Sequence, residues 1–88
     1  MEKRAIRKYP FDEAAGVLKV VAHPVRLCII AILEGRGSMN VRDIQNTLGL
    51  KQSITSQHLT QMAGKGILRR EKNANEVFYS IEKKEVLK

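Results

Sequence analysis

The feature that most constrains the fold is a pair of short helical segments separated by a glycine turn. Residues 41–48 and 52–63 both have helical spacing, and Gly49 begins the three-residue turn between them. Asn40 precedes the first segment, where its side-chain oxygen can accept a hydrogen bond from a free N–H of the first turn. Two short helices joined by such a turn describe a helix-turn-helix.

The pattern changes from helical to extended directly after the second segment. Gly64 and Gly66 close the helix, and residues 67–72 and 76–81 are predicted as two strands around a polar tip at 73–75. A β-hairpin in this place makes a winged helix. We therefore predict a mainly α fold with a small β-hairpin, of the winged helix-turn-helix type.

Two further helices are predicted ahead of this unit. Asp12 can cap a helix over 13–22, with apolar residues on one face. Pro24 suits the first position of a second helix, over 24–34, which the glycines that follow would end. Its segment 27–33 is apolar almost all round, which predicts the central helix of the core.

Length and charge indicate one small domain with a polyanionic partner. The chain has 88 residues, which we divide into a basic N-terminal arm (1–10) and a winged helix DNA-binding domain (11–88). Sixteen Lys and Arg against nine Asp and Glu give a net charge of +7, and the pI is near 9.9. The longest apolar run has seven residues, far below the roughly 20 that span a bilayer. We expect a cytoplasmic protein without a membrane segment.

The second helix of the pair has the composition of a helix that reads base edges. Spacing at 100° per residue places Ile54, His58 and Met62 on the core side and short polar side chains opposite. Ser, Thr and Gln can pair with base edges, and the stretch 44–70 contains no acidic residue to repel phosphates. The predicted DNA-binding residues are Lys51, Gln52, Ser53, Thr55, Ser56, Gln57, Thr60, Arg69, Arg70, Lys72 and Asn73.

Each of these features also has a simpler interpretation. Short polar side chains are common on any solvated helix face, and charges on a hairpin protect an exposed edge strand. Within the hairpin we favour Arg70 and Lys72 over Arg69 for phosphate contact. Arg26 could contact a phosphate or brace the helix-turn-helix internally, and we favour the brace.

Catalytic and metal-binding patterns are not found in the sequence. It has no nucleophile with a partnered base and no glycine-rich phosphate loop, so we do not expect an enzyme or a cofactor. Cys28 is interpreted as a buried thiol that packs in a core helix. His23 marks a helix start, and His58 is interpreted as a half-buried, hydrogen-bonded histidine rather than a metal ligand.

Three segments together resemble the ArsR/SmtB-type winged-helix repressors of bacteria and archaea. They are LKVVAHPVRLCIIAIL (18–33), VRDIQNTLGLKQSITSQHLTQM (41–62) and GKGILRREKNANEVFYSI (64–81). The second contains the serine-x-histidine-leucine signature at Ser56, His58 and Leu59, and the third has Tyr79 where the family keeps a tyrosine.

The resemblance implies a homodimer that binds an inverted repeat in a promoter and represses until an inducer acts. Its dimer contacts come from the first and last helices, which correspond here to Phe11, Ala14, Leu18, Val86 and Leu87. Metal-sensing members often carry a Cys-x-Cys pair where this chain has Asn40 and Arg42, so no metal is expected. The alternatives are a protein–protein interaction module and a nonspecific nucleic-acid-binding architectural protein.

Overall fold

The computed structural model describes residues 11–83, which form four helices and a three-stranded sheet. The elements are α1 (Phe11–Val21), α2 (Pro24–Arg36), β1 (Met39–Asn40), α3 (Val41–Leu48), α4 (Gln52–Gly64), β2 (Leu68–Asn73) and β3 (Glu76–Ile81). The winged helix-turn-helix predicted from the sequence is confirmed. α1 and α2 meet at a sharp bend of 94°.

Capping residues explain where the central helices begin and end. The Nδ1 atom of His23 accepts a hydrogen bond from Val25 N at 3.1 Å, and Pro24 takes the first helical position of α2. Asn40 Oδ1 accepts from Asp43 N at 2.8 Å at the start of α3. Gly49 ends α3 in the left-handed conformation at φ +69°, which glycine adopts without a side-chain clash.

Two predicted helix boundaries were wrong by about one turn or less. α1 begins at Phe11, so Asp12 lies inside the first turn and does not cap the helix. α2 continues through Gly35 to Arg36, and Gly37 forms its end at φ +89°. An isolated glycine inside a helix costs only about 1 kcal/mol relative to alanine, which the surrounding packing offsets.

The sheet has the order β1-β3-β2 and is antiparallel throughout. The hairpin pairs Leu68 with Ile81 and Asn73 with Glu76, which leaves a two-residue turn. β1 pairs Met39 with Tyr79, and this strand was not predicted. Two residues are too few to show the alternating pattern of a strand in a sequence. β1 forms because the folded hairpin presents the edge of β3, with which these two residues can pair.

The core lies between α2, α3, α4 and the base of the sheet. Its buried apolar residues are Ile29, Leu33, Met39, Ile44, Leu59, Met62, Leu68 and Tyr79. α2 therefore contributes Ile29 and Leu33, but Leu27 is 53% exposed. The predicted central helix therefore does contribute to the core, although its apolar segment is not buried all round, since one side of α2 remains open to solvent.

α1 packs differently, because it has no buried residue. Val17, Val20 and Val21 are half-buried against the domain, whereas Phe11 and Leu18 are 63% and 65% exposed. Its apolar residues thus lie on two sides of the helix. No single helix within 11–83 is long and apolar enough to cross a bilayer, and only the bent pair of α1 and α2 together reaches that length and composition.

Candidate nucleic-acid interface

Three side chains anchor α4 to the core. Thr55, Leu59 and Met62 follow one another at helical spacing and are completely buried. The Thr55 hydroxyl donates a hydrogen bond to Lys51 O at 2.9 Å. The prediction that Thr55 contacts DNA was therefore wrong, because a buried hydroxyl that is paired with its own helix cannot reach a base edge.

The side of α4 opposite this anchor carries the predicted polar face. Ser53, Gln57 and Thr60 are exposed along its centre, and Ser56 is half-buried at its border. Ile54 is 41% exposed, although the sequence placed it on the core side. The helix is rotated so that Thr55 lies at the centre of the buried side, which turns Ile54 outward.

The first residues of α4 extend this polar face toward the turn of the helix-turn-helix. Lys51 and Gln52 are both exposed. Lys51 is the residue before the helix, and its side chain makes no capping hydrogen bond. The ammonium group is thus available to an anion beside the N-terminal turn, where the helix dipole also favours negative charge.

The wing separates its basic side chains onto two faces. In the hairpin register Arg70 pairs with Tyr79 and Lys72 with Val77, so both lie on the face of the sheet that continues from the core. Arg69 lies on the opposite face, where its guanidinium is 3.4 Å from the Glu71 carboxylate. Arg70 and Lys72 have no such carboxylate partner within residues 11–83.

An open cleft joins the wing to the helix-turn-helix. It has a volume of about 290 Å³ and is lined by Arg42, Gln45, Gln52, Asn75 and Glu76, among others. Asn73 is exposed on β2 near the hairpin turn. Arg42 and Gln45 were not predicted as site residues. Their position on α3 gives no signal until the wing is folded beside them.

A carboxylate at this cleft is held in place by an amide. The Nδ2 atom of Asn40 donates to Glu76 Oε1 at 2.7 Å, while the Oδ1 atom of the same residue caps α3. Glu76 is the first residue of β3, so the hydrogen bond ties the outer end of the wing to the start of α3. One side chain thereby connects the two parts of the candidate interface.

Behind the interface, Arg26 connects the bend between α1 and α2 to α4. Its guanidinium donates to Val20 O at 3.0 Å, to His58 Nδ1 at 3.0 Å and to Gln61 Oε1. The interpretation of Arg26 as an internal brace agrees with these three contacts. His58 is half-buried and hydrogen-bonded, as its sequence position suggested.

The structure brings together two histidines that lie 35 positions apart in the sequence, His23 and His58. The rings of His23 and His58 meet edge to face, with centroids 4.8 Å apart. Burial lowers the pKa of His58 from its ordinary value of 6.5, and the charges of Arg26 and His23 lower it further. Within residues 11–83 no group of three or more His, Cys, Asp or Glu could hold a metal ion.

Comparison with known proteins identifies the family to which this winged helix belongs. The model of the MarR family matches residues 24–76, which include α2, the helix-turn-helix and most of the wing. The chain belongs to the MarR family. The ArsR/SmtB-like motifs of the sequence indicated another group of winged-helix repressors, and the family shown is MarR.

Relatives of this MarR-family chain are named as transcription regulators. It is 35% identical over 75 residues to the HTH-type transcriptional regulator YgaV of Escherichia coli, covering 85% of this chain and 76% of that one. It is 43% identical over 70 residues to the transcriptional repressor PagR of Bacillus anthracis, covering 80% and 70%.

Solved structures agree with the fold of this MarR-family protein along most of its length. The crystal structure of PagR superimposes with a TM-score of 0.77 at 41% identity, covering 83% of each chain. The structure of HlyU from Vibrio cholerae gives 0.77 at 31% identity, covering 94% of this chain and 83% of that one. HlyU is named a transcriptional activator.

Two further features of this family member concern surfaces away from the polar face of α4. The predicted dimer contacts on α1 are all exposed; they are Phe11, Ala14 and Leu18. The other two, Val86 and Leu87, lie outside the described residues. The predicted basic arm at 1–10 also lies outside them. Cys28 is exposed on α2. The expectation of a buried thiol was wrong, because this residue lies on the open side of α2.

Proposed function

We propose that this MarR-family protein is a transcription regulator that binds double-stranded DNA in a sequence-specific manner and inserts α4 into the major groove. The observation that carries the proposal is the outward side of α4, where Ser53, Gln57 and Thr60 form a continuous polar row. Amide and hydroxyl groups of this kind can hydrogen-bond base edges. The buried Thr55, Leu59 and Met62 hold the helix rigidly from behind, which a base-reading helix requires.

Roles for the other residues follow from their charge and position. We assign phosphate contacts to Lys51, Arg70 and Lys72, since cations position a protein on the DNA backbone without reading sequence. Arg69 and Asn73 would contact the backbone only at the edge of the wing. The remaining base-reading residues are Gln52 and Ser56.

The cleft between α3, α4 and the wing extends this DNA surface. Arg42 and Gln45 are candidates for additional contacts there, since they share the cleft with Gln52 and Asn75. Arg42 would bind a phosphate and Gln45 would bind a sugar or phosphate oxygen. These two assignments rest on the position of Arg42 and Gln45 in the cleft, and not on the residue pattern that predicted α4 as the base-reading helix.

A homodimer is the proposed assembly, with α1 at its interface. α1 is apolar on two sides, but only the side with Val17 and Val20 packs against its own domain. A groove of about 590 Å³ lies beside it, lined by Ala14, Val17 and Ile67 among others. Exposed apolar surface of this kind is buried favourably by a second copy. Val86 and Leu87 are proposed to complete the interface.

Finer aspects of the regulator rest on the sequence motifs. We propose a repressor that acts at an inverted repeat in a promoter, because the helix-turn-helix carries a serine-x-histidine-leucine motif of the kind found in winged-helix repressors. The name of the relative PagR supports repression. We propose that the protein works in the cytoplasm, needs no metal or cofactor and is not an enzyme.

Selection from a random pool of duplexes, followed by sequencing, tests the proposal directly. Recovery of one inverted-repeat motif, bound with an affinity that falls steeply as salt rises, is the expected result. Binding that depends on salt but ignores sequence would instead indicate an architectural protein. No binding even at low salt would indicate a protein–protein interaction module.

Neighbouring arginines on β2 supply a matched pair of variants for the same assay. Arg70→Ala should reduce the slope of log affinity against log salt by about 1, the loss of one phosphate contact. Arg69→Ala removes the same side chain from the opposite face, where it is already paired with Glu71, and should reduce the slope by clearly less than Arg70→Ala. Equal slopes for both variants would contradict the assignment of Arg70.

A further inference from the structure

The Arg26 contacts form a connection between the α1–α2 bend and α4 that the DNA-binding surface does not include. Arg26 Nη1 donates to Val20 O in the last turn of α1 at 3.0 Å, and Nε donates to His58 Nδ1 on α4 at 3.0 Å. Nη2 donates to Gln61 Oε1, also on α4. A planar guanidinium holds its donors in a fixed arrangement, so these contacts fix the orientation of α4 relative to the bend.

The contact with His58 requires one protonation state of that side chain. An imidazole nitrogen accepts a hydrogen bond only when it carries no proton, so Nδ1 must be bare and a neutral ring must carry its proton on Nε2. A second proton would convert Nδ1 into a donor that faces the Nε–H of Arg26. The contact would then be lost.

The surroundings of His58 also oppose its positive charge. Arg26 approaches it from α2 and the His23 ring approaches it from the residue before α2. These two are the charged or titratable groups that act on His58 from the packed elements of residues 11–83, and both are basic. Protonation would therefore place a cation beside Arg26 without an acidic partner, and repulsion would separate α4 from the bend.

The position of α4 matters for any dimer that reads DNA with two copies of this helix. The dimer contacts are proposed for α1. The distance between the two copies of α4 in such a dimer therefore depends on how each α4 is held against the α1 and α2 of its own chain. Because half-sites are separated by about one helical turn of DNA, a change in this orientation costs affinity.

We propose that Arg26 and His58 are positioning residues for DNA binding, which hold α4 against the α1–α2 bend while His58 is neutral and release it when His58 is protonated. Neither residue needs to contact DNA. The inference rests on the proposed function for its effect on DNA, but the contact between the two side chains can be tested without DNA.

The proposed contact predicts that acidification weakens DNA binding, whereas the change in net charge alone would strengthen it. Acidification adds positive charge to the protein, and electrostatic attraction alone would strengthen binding to a polyanion. We expect instead that affinity is lower at pH 5.5 than at pH 7.5, and that the loss grows as the pH falls through the folded-state pKa of His58.

Three variants separate this effect from other titrations. His58→Asn places an acceptor oxygen near the position of Nδ1 without a titrating group, so its affinity should be close to wild type at pH 7.5 and should not fall at pH 5.5. His58→Ala removes the acceptor and should bind weakly at both pH values. His23→Asn keeps a side chain that can cap α2 but removes one of the charges that lower the pKa of His58, so it should still lose affinity on acidification, with its midpoint at a higher pH than in wild type.

Fluorescence anisotropy measures the affinity of each variant for the duplex recovered by the selection described above, with thermal melts at both pH values to show that each remains folded. A profile for His58→Asn that falls as much as the wild type would overturn the inference. A loss of pH dependence in His23→Asn but not in His58→Asn would also overturn it.

NMR of the free protein tests the contact independently. The Arg26 Nε–H resonance should shift with the same midpoint as the ring carbon protons of His58, and should not titrate in His58→Asn. An Arg26 resonance that does not follow the titration of His58 would overturn the inference. If the selection recovers no duplex, the proposed function fails, and this titration still decides whether the contact breaks on protonation.

Discussion

α1 and α4 have nearly equal lengths but opposite relations between composition and burial. α1 has 11 residues, seven of them Val, Leu, Ala or Phe, yet it has no buried residue. α4 has 13 residues, most of them polar, yet Thr55, Leu59 and Met62 are completely buried. The share of apolar residues in a helix therefore does not predict which helix is anchored in this domain. A polar helix needs only a narrow apolar stripe, whereas an apolar helix that is left exposed points to a second partner.

The largest effect expected from this comparison comes from two leucines. Leu59→Ala should lower the free energy of unfolding by about 3 kcal/mol, since it leaves a cavity in the core. Leu18→Ala, which truncates the same side chain on exposed α1, should change the stability of the monomer by less than about 0.5 kcal/mol. Urea denaturation at low protein concentration measures both.

Sedimentation of the same two variants sharpens the contrast. Leu18→Ala should weaken self-association, which the proposed dimer places on α1, while wild type sediments as a dimer. A monomeric wild type at micromolar concentration would show that the apolar side of α1 has another use.

The two sides of α4 should respond differently in the selection assay. Gln57→Ala should cost about 1–3 kcal/mol of discrimination at one base position. Thr55→Val, on the buried side, should lower stability by about 1 kcal/mol through the lost hydrogen bond to Lys51 O and leave the base preference unchanged. A changed base preference in Thr55→Val would show that the buried side also influences recognition.

A smaller effect on the free energy of unfolding is expected from pH. Protonation of His58 affects a single contact, the one between α4 and the α1–α2 bend. Burial, Arg26 and His23 lower the pKa of His58 in the folded state below its ordinary value of 6.5. The unfolded chain therefore binds a proton more readily, and stability is fully present above about pH 6.5 and decreases as the pH falls through the lower folded-state pKa. Unfolding free energies measured across this range should be less pH-dependent for His58→Asn.

The smallest expected effect concerns the contact between α1 and the end of α4. A Cβ atom at Gly16 would lie 3.2 Å from the Cε and Nζ atoms of Lys65, which belong to the flexible end of a long side chain. Gly16→Ala should therefore displace Lys65 slightly and stabilise the fold by about 0.5 kcal/mol through helix propensity. A decrease in melting temperature would show that α1 is held more tightly than its exposure suggests.

Much of the helix-turn-helix and the wing could be predicted because local residues determine their boundaries. Asn40 and Gly49 mark both ends of α3 through their own backbone and side-chain geometry, and the hairpin follows from its strand-forming residues. The polar face of α4 could be predicted for the same reason, since helical spacing alone groups Ser53, Gln57 and Thr60.

Other features depend on partners that are distant in sequence. Thr55 and Ile54 were misplaced because spacing defines a face but not the angle at which the core meets it. The exposure of Cys28 could not be predicted, since an apolar helix looks the same whether its outer side is covered or open. The edge-to-face contact of His23 with His58 arises only when α2 and α4 pack together.

The hydrogen bonds of Asn40 limit which side chains can replace it. Its oxygen accepts from Asp43 N and its nitrogen donates to Glu76, so the position requires an acceptor and a donor on one short side chain. Aspartate would cap α3 equally well but would present a second carboxylate to Glu76, and serine would be too short to reach it. For a redesign that exchanges wings between proteins of this fold, residues 40 and 76 must therefore be transferred as a pair.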